Sequence, residues 1–126
     1  MDAYKTHGAF SWSELTTSDP VAAAAFYSQL FGWTTQEMDM GTGPYIVTKV
    51  GETSVAGIMG TPPGAPPMPP HWGCYVTVNN VEETLALCTS LGGKTLMPGM
   101  DIPGVGRMAV LQDPQGAVLN VMAYSM

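Results

Sequence analysis

The sequence predicts an α+β fold in which two βαβββ modules pair around one core. The first observation behind this prediction is an internal repeat. A shift of 61 residues places Leu15 on Val76, Asp19 on Asn80 and Gly32 on Gly93. The second is a set of helix-start and helix-end signals in each half, and the third is three strand-like runs after each helix. Neither half could bury its own sheet face well, so we expect a single domain over residues 1–126.

The first module is predicted over residues 8–60. A strand at about 8–17 leads into a helix with Asp19 as N-cap and Pro20 at its first position, where the missing N–H costs nothing. Gly32 suits the left-handed end of that helix. The helix should bury the apolar side chains Ala22, Ala23, Phe26, Tyr27, Leu30 and Phe31. The strand-like runs that follow are "WTTQEMD", "YIVTKV" and "TSVAGIM".

The second module is predicted over residues 72–126 and follows the same plan. "WGCYVTV" is its first strand. Asn80 is the N-cap of its helix, with Glu83 three residues on in the capping-box position. The predicted apolar stripe is Leu85, Leu87, Cys88 and Leu91, and Gly92–Gly93 ends the helix. The strands "KTLMPGMDI", "GRMAVLQD" and "AVLNVMAYSM" complete the module, the last two joined by a turn at residues 113–116.

Residues 61–71 form a proline-rich connector between the two modules. Six prolines lie between Pro62 and Pro70, too many for a helix or a central strand. The segment is therefore expected to be an extended, semi-rigid connector. The alternative is an unstructured spacer between independent domains, which the small size of each half disfavours.

Composition excludes several classes of function. Only 11% of the residues are charged, the net charge is −6, and four residues are basic. A nucleic-acid partner is not expected from so few cations, and no apolar run is long enough to span a membrane. The N-terminus lacks a signal-peptide pattern, and two cysteines in apolar surroundings favour buried thiols. We therefore expect a cytoplasmic protein. Its surface should either carry few charges or be largely buried in an oligomer.

Two segments carry a resemblance to a known family. "LTTSDPVAAAAFYSQLFGW" and "DIPGVGRMAVLQDPQGAV" resemble the vicinal oxygen chelate superfamily, which includes glyoxalases, bleomycin-resistance proteins and extradiol dioxygenases. They are most similar to its small glyoxalase-like, CFP30B-type branch. The resemblance implies that the two modules form a cupped, partly closed mixed β-sheet barrel around a ligand, with a helix outside each module.

The metal ligands of that superfamily do not carry over to this sequence. Family members bind a divalent cation through His or Gln, Glu, His and Glu on the first and last strands of each module. The corresponding positions here are Trp12, Gly73 (Trp72 if the register slips by one residue) and Asn120, and the last strand of the first module has no acid. The sequence therefore predicts no metal and no cofactor. A displaced metal site that uses His7, His71 and Glu14 stays open as an alternative.

The stretch "SWSELTT" predicts one face of a small-molecule pocket. Successive side chains of a strand point to opposite faces, so Trp12 and Glu14 share a face while Ser13 and Leu15 point toward the helix. With Trp12 at a ligand position of the family, that face should line the cup. The residues predicted to line it are Trp12, Glu14, Tyr75, Asn120 and Met122, with Met59 also possible.

Each candidate has a structural alternative. Glu14 beside aromatic rings should have a raised pKa and could act as a general base, or it is a rim acid that pairs with a cation. Trp12 either contacts the ligand through its ring or is a structural side chain that fills the cup. For Tyr75 the structural role is favoured over ligand binding. Arg107, the only arginine, is predicted either to bind an anionic ligand group or to pair with Asp101 or Asp113.

The sequence thus predicts a metal-independent, bleomycin-resistance-like protein that binds a small apolar or aromatic molecule, with Glu14 available for proton transfer. A non-catalytic drug- or metabolite-sequestering binder is the alternative, and a metal-dependent glyoxalase or dioxygenase is a further one. Whether the protein is an enzyme stays open. A homodimer is the expected assembly, because the sequestering members of the family tend to bind ligand between two subunits.

Overall fold

The computed structural model describes residues 1–39, 44–61 and 68–125. The described residues contain eight strands and two helices in two successive βαβββ modules, which confirms the predicted α+β class. The elements are β1 Phe10–Thr17, α1 Pro20–Phe31, β2 Thr34–Asp39, β3 Pro44–Val50, β4 Thr53–Gly60, β5 His71–Thr77, α2 Val81–Ser90, β6 Lys94–Ile102, β7 Gly106–Gln112 and β8 Val118–Tyr124.

The chain forms two compact units. The first unit is Trp12–Gly73, and the second unit is Met1–Ser11 together with Cys74–Met126. The second unit thus includes the N-terminal segment, which the sequence pattern does not indicate. The prediction of a single domain over residues 1–126 stays a prediction, and residues 62–67 of the predicted connector lie outside the described residues.

The strands of the first unit run in the order β2-β3-β4-β1. Strands β1 and β4 are parallel, and the other two pairings are antiparallel. One face of these strands packs on α1 through Leu15, Ile46 and Ile58, which contact Ala24 of the helix. The predicted helix ends are confirmed, because Asp19 Oδ1 accepts from the Ala22 N–H at 3.1 Å and Gly32 has a φ of 74°.

The apolar face predicted for α1 is wrong at Ala22, Phe26, Leu30 and Phe31, which are exposed. Ala24 is the residue of α1 that is buried, and Ala23 and Tyr27 pack beside it. Phe26, Leu30 and Phe31 are exposed by 57–59%. A helix can pack closely on a sheet through small side chains, so Ala23 and Ala24 form the contact with Tyr27 beside them, and Phe26, Leu30 and Phe31 point away.

The strands of the second unit run in the order β5-β8-β7-β6, with β5 and β8 parallel. Val78, Val81, Ala109 and Val121 form its core, and Leu85 of α2 packs against them. The predicted N-cap is confirmed, because Asn80 Oδ1 accepts from the Glu83 N–H at 2.9 Å. Leu87 and Leu91, predicted on the apolar stripe, are exposed instead.

The N-terminal segment is hydrogen-bonded to β5 within the second unit. Gly8 N–H donates to the Thr77 carbonyl, and Thr77 N–H donates to the Ala9 carbonyl, both at 2.8 Å. Thr77 Oγ1 also donates to the Ala3 carbonyl at 2.6 Å. His7 precedes its strand as predicted, whereas His71 begins β5 rather than preceding it.

Candidate functional site

Trp12 and Glu14 lie on the face of the first unit that is turned away from α1. Their neighbour Leu15 is buried against the helix, and strand geometry sends alternate side chains to the other face. Glu14 is directly opposite Gly57 of β4, and Gly57 is directly opposite Val47 of β3. This register makes the face continuous from β1 to β3.

Tyr45 of β3 joins the two β1 residues through its hydroxyl group. The Trp12 indole Nε1–H donates to Tyr45 Oη at 3.0 Å, and the Tyr45 hydroxyl donates to Glu14 Oε2 at 2.7 Å. All three side chains are partly buried. A short O–H···O hydrogen bond to a carboxylate is among the stronger hydrogen bonds in proteins. The three residues therefore form a hydrogen-bonded chain, the Trp12–Tyr45–Glu14 chain, across the face.

Gly57 makes room for that chain. A Cβ at position 57 would overlap the hydroxyl and ring atoms of Tyr45, so the phenol ring lies directly over the β4 backbone. The sequence pattern does not single out Tyr45. This residue is therefore absent from the residues predicted to line the site. A glycine in the middle of an apolar strand is the signal that could have found it, because such a glycine often marks a close approach of another group.

Met59 extends the same face beyond Gly57. It lies two residues on along β4 and directly opposite Tyr45 in the β3–β4 ladder, and its side chain is partly buried. A depression of about 270 Å³ in this unit is on the other side of the strands, where it is lined by α1 and by Thr35, Glu37 and Ile46. It contains none of the predicted site residues, so hydrogen-bond chemistry, and not concavity, singles out the Trp12–Glu14 face.

The face can accept and donate protons in a defined geometry. Glu14 provides a carboxylate, and Tyr45 provides a phenol group that is both donor and acceptor. A carboxylate held in place by a neighbouring donor can bind a ligand O–H or N–H, or accept a proton from it. Beside this polar centre, Trp12 and Met59 offer aromatic and thioether surface.

The second unit brings together Tyr75, Asn120 and Met122 on the face turned away from α2. Asn120 is opposite Tyr75 and Met122 is opposite Thr77 in the parallel β5–β8 ladder. Tyr75 is buried, and its hydroxyl donates to Met108 Sδ at 3.9 Å. The requirement that a buried Tyr75 hydroxyl has a partner is met.

Arg107 lies on the opposite face of these strands, beside α2. It is opposite Ala123, which packs on the α2 side, whereas its neighbour Met108 is opposite Met122. Its guanidinium donates to both carboxylate oxygens of Glu82 at 2.9–3.0 Å and to Asp101 Oδ1 at 3.0 Å. Arg107 therefore pairs with Asp101, which is one of the two roles predicted for it, and Glu82 is a second partner.

These ion pairs shift the titration of both partners. The hydrogen bond from Arg107 lowers the pKa of the Glu82 carboxyl. In turn, the hydrogen bonds to Glu82 and Asp101 raise the pKa of the Arg107 guanidinium above its ordinary value. Arg107 is thus engaged on the α2 side and does not share a face with Tyr75, Asn120 and Met122.

The residue types at the family's metal positions do not fit a four-ligand cation site. Trp12 has no lone pair to offer, because that of its indole nitrogen is part of the aromatic ring system, and its Nε1–H donates to Tyr45. Gly73 has no side chain, and β4 contains no His, Cys, Asp or Glu. Within the ranges that the structure describes, no group of three or more His, Cys, Asp or Glu side chains is placed to share a metal ion.

Comparison with protein families identifies the fold family. The model of the Glyoxalase/Bleomycin resistance protein/Dioxygenase superfamily matches residues 9–121. This chain belongs to that superfamily. The earlier resemblance is thereby confirmed at the level of the family.

Curated relatives include longer proteins of actinobacteria. CFP32 of Mycobacterium tuberculosis, a protein provisionally named a glyoxylase, is 40% identical over 116 residues, which cover 91% of this chain and 44% of that protein. The anthracycline biosynthesis protein DnrV of Streptomyces peucetius is 35% identical over 127 residues, which cover 90% of this chain and 46% of that protein. The chain thus spans less than half the length of these relatives.

Solved structures share the fold at low sequence identity. The methylmalonyl-CoA epimerase of Streptomyces coelicolor, in complex with 2-nitronate-propionyl-CoA, has a TM-score of 0.67 at 13% identity and covers 96% of this chain and 100% of its own. The methylmalonyl-CoA epimerase of Mycobacterium tuberculosis has a TM-score of 0.62 at 13% identity, and the match covers 91% of this chain and 86% of the epimerase chain. At this identity the likeness concerns the fold alone.

Among the described residues, no helix is both long and apolar enough to cross a bilayer.

Proposed function

We propose that this protein binds a small, largely apolar or aromatic molecule on the Trp12–Glu14 face of the first unit, without a metal ion, and that Glu14 exchanges a proton with it. The Trp12–Tyr45–Glu14 chain is the observation that carries this proposal. A mostly apolar surface with a few fixed polar groups is how small-molecule sites are usually built.

Each member of the face has a distinct task. The Trp12 ring and the Met59 side chain provide apolar contact for the ligand. Tyr45 fixes Glu14 Oε2 through the 2.7 Å hydrogen bond, which keeps the carboxylate oriented toward the face. If the ligand is turned over, Glu14 takes a proton from it as a carboxylate and returns the proton as a carboxylic acid. Such a cycle is balanced for isomerisation or epimerisation and needs no further reactant.

The names of the relatives guide the choice of ligands. DnrV is named for anthracycline biosynthesis, and anthracyclines are planar aromatic molecules that suit a tryptophan platform. The epimerase structures bind acyl-CoA compounds. An anthracycline and methylmalonyl-CoA are therefore the first probes for this chain.

Sequestration without turnover is the second candidate function. The same face can bind an aromatic ligand through Trp12 while Glu14 accepts a hydrogen bond and no proton moves. Purification in chelator-treated buffers followed by metal analysis tests the metal-independent part of both candidates. Stoichiometric metal that leaves the protein when Glu14 is replaced by Gln would contradict it.

A thermal-shift screen with these probes and a panel of aromatic metabolites tests binding. Ligands that stabilise the protein are then measured with Glu14→Gln and Trp12→Ala, with Glu37→Gln as the matched control because Glu37 is an exposed acid on the opposite side of the same unit. We expect Trp12→Ala to weaken binding and Glu37→Gln to leave it unchanged. Equal affinity in all four proteins would contradict a ligand site on this face.

Turnover separates the two candidates. Proton NMR in deuterated water detects exchange of a ligand C–H with solvent, which is the signature of a proton-transfer enzyme. Exchange that requires Glu14, with binding retained in Glu14→Gln, supports catalysis. A ligand that binds at Trp12 and never exchanges supports sequestration and contradicts the catalytic role of Glu14.

A further inference from the structure

Three methionines form one row across three adjacent strands of the second unit. Met100 of β6 is directly opposite Met108 of β7, and Met108 is directly opposite Met122 of β8. Side chains that are directly opposite each other in an antiparallel pair share a face of the sheet. The three thioether side chains, which we call the methionine row, therefore lie side by side.

The nearest charged neighbours of the methionine row in the sequence point to the other face. Asp101 follows Met100 in β6 and is opposite Arg107, with which it forms an ion pair at 3.0 Å on the α2 side. Alternation along each strand places the methionine row on the face turned away from α2. The row thus presents neutral sulfur atoms, separate from that ion pair.

The methionine row reaches from the protein surface into the sheet. Met108 and Met122 are buried, whereas Met100 is 46% exposed. Strands favour β-branched and aromatic residues, so strand propensity does not explain three methionines in one row. An ion from solvent can meet the sulfur of Met100 first and reach the two buried sulfur atoms from there.

A hydroxyl group holds the central sulfur of the row in place. Tyr75 of β5 is buried, and its hydroxyl donates to Met108 Sδ at 3.9 Å. A thioether sulfur has two lone pairs and is a weak acceptor of hydrogen bonds. The bond from Tyr75 uses one lone pair, and the other remains for a metal ion between Met108 and its two neighbours in the row.

The spacing of the row fits three sulfur ligands around one ion. Side chains directly opposite each other have Cβ atoms about 4.5–5.5 Å apart. At a metal–sulfur distance of roughly 2.3 Å, three sulfur atoms in a plane around one ion lie about 4 Å from one another. The two outer side chains therefore have only to lean toward Met108, which the unbranched and flexible methionine side chain allows.

We propose that Met100, Met108 and Met122 form a three-thioether site for a soft monovalent cation, Cu(I). Thioether ligands favour Cu(I), whereas carboxylate, carbonyl and water ligands suit Mg²⁺, Ca²⁺ and Mn²⁺. The three ligands carry no negative charge, so a divalent ion among them would be buried without compensation. The cost of burying an ion rises steeply with its charge, and the row therefore discriminates in favour of a single positive charge.

The proposal is independent of the Trp12–Glu14 face. The methionine row lies in the second unit and that face lies in the first, where ligand binding is proposed to need no metal ion. Copper that stays on the Glu14→Gln protein and is lost from the Met100→Leu protein belongs to the row. Copper that leaves Glu14→Gln and stays on Met100→Leu would overturn the row as its site.

Silver(I) is the probe for the site, because it has the charge and softness of Cu(I) and needs no reductant. The titration uses the full chain with Cys74→Ser and Cys88→Ser, since thiolates bind the same ions. Methionine methyl groups labelled with ¹³C report on each thioether by NMR. One equivalent of Ag(I) should shift the three signals of the methionine row and leave those of Met38 and Met59 in place. Zn²⁺ should shift none of them.

Met100→Leu removes the exposed ligand and leaves the buried part of the row intact. We expect the dissociation constant for Ag(I), measured by calorimetry, to rise by at least about tenfold, since even the loss of an outer-shell partner costs about 10–100-fold. Met38→Leu is the matched control, because Met38 is also a strand residue and is 44% exposed. Equal affinities in the two variants, equal shifts at Met38 and Met59, or an equal response to Zn²⁺ would overturn the proposal.

Discussion

The Tyr45 hydroxyl donates a 2.7 Å hydrogen bond to Glu14 Oε2, and so joins residues 31 positions apart in the sequence. Because the same hydroxyl accepts from the Trp12 indole, one phenol group fixes the position of an acid and of an aromatic ring. The three strand residues therefore form a candidate site. The contribution of the Tyr45 hydroxyl to stability can be measured without any ligand.

Tyr45→Phe should destabilise the protein and weaken ligand binding at the Trp12–Glu14 face. The ring remains over Gly57, but Glu14 and Trp12 both lose a hydrogen-bond partner while they stay partly buried. We expect a loss of about 1–3 kcal/mol in the free energy of unfolding, measured by urea denaturation. Tyr27→Phe is the control, because its hydroxyl accepts a longer hydrogen bond, at 3.2 Å, from the indole of the exposed Trp72. It should cost less, and equal losses would contradict a special role for Tyr45.

Gly57→Ala should displace Tyr45 from Glu14. The added methyl group overlaps the Tyr45 hydroxyl and ring, and overpacking of this kind typically costs about 1–3 kcal/mol. Gly60→Ala on the same strand is the control, since its Cβ would lie at an ordinary 3.6 Å from Pro20 Cγ. In a double-mutant cycle, Gly57→Ala should cost much less in the Tyr45→Ala background. Additive losses would show that Gly57 acts through some other neighbour.

Much of the fold could be predicted from the sequence because its signals are local. Asp19 and Asn80 cap the two helices as predicted, and the eight strands lie close to the predicted runs. The predicted helix faces failed at Phe26 and Leu87, because periodicity identifies apolar side chains but not which of them meets the sheet. In α1 the sheet is met by Ala24, with Ala23 and Tyr27 beside it, and Phe26, Leu30 and Phe31 remain outside.

The candidate site was predictable only in part, because its contacts join distant parts of the chain. Strand alternation placed Trp12 and Glu14 on one face, and the structure has them there. Tyr45 reaches them through the β3–β4–β1 register, which no short motif encodes. Likewise, Arg107 pairs with the nearby Asp101, as the sequence suggested, and also with Glu82, which is 25 positions away.

Thr77→Val should loosen the N-terminal segment from the second unit. The substitution preserves shape but removes the hydroxyl that donates to the Ala3 carbonyl at 2.6 Å, at an expected cost of about 1 kcal/mol. Hydrogen exchange at the Gly8 amide, which donates to the Thr77 carbonyl, should become faster. Thr48→Val is the control, because it removes a buried hydroxyl bond to Ala56 in the first unit. Equal acceleration at Gly8 in both variants would contradict a local tether.

Glu82→Gln should destabilise the protein at neutral pH and lose its effect in acid. The hydrogen bond from Arg107 lowers the pKa of folded Glu82 below its ordinary 4.5. Its stabilising contribution is therefore present above pH 4.5 and is lost as the pH falls through the lower folded value. Glu83→Gln is the matched control, since both acids lie in the first turn of α2 and share its helix dipole. Urea midpoints of both variants and wild type across this pH range measure the difference, and parallel curves for the two variants would contradict the role of Arg107.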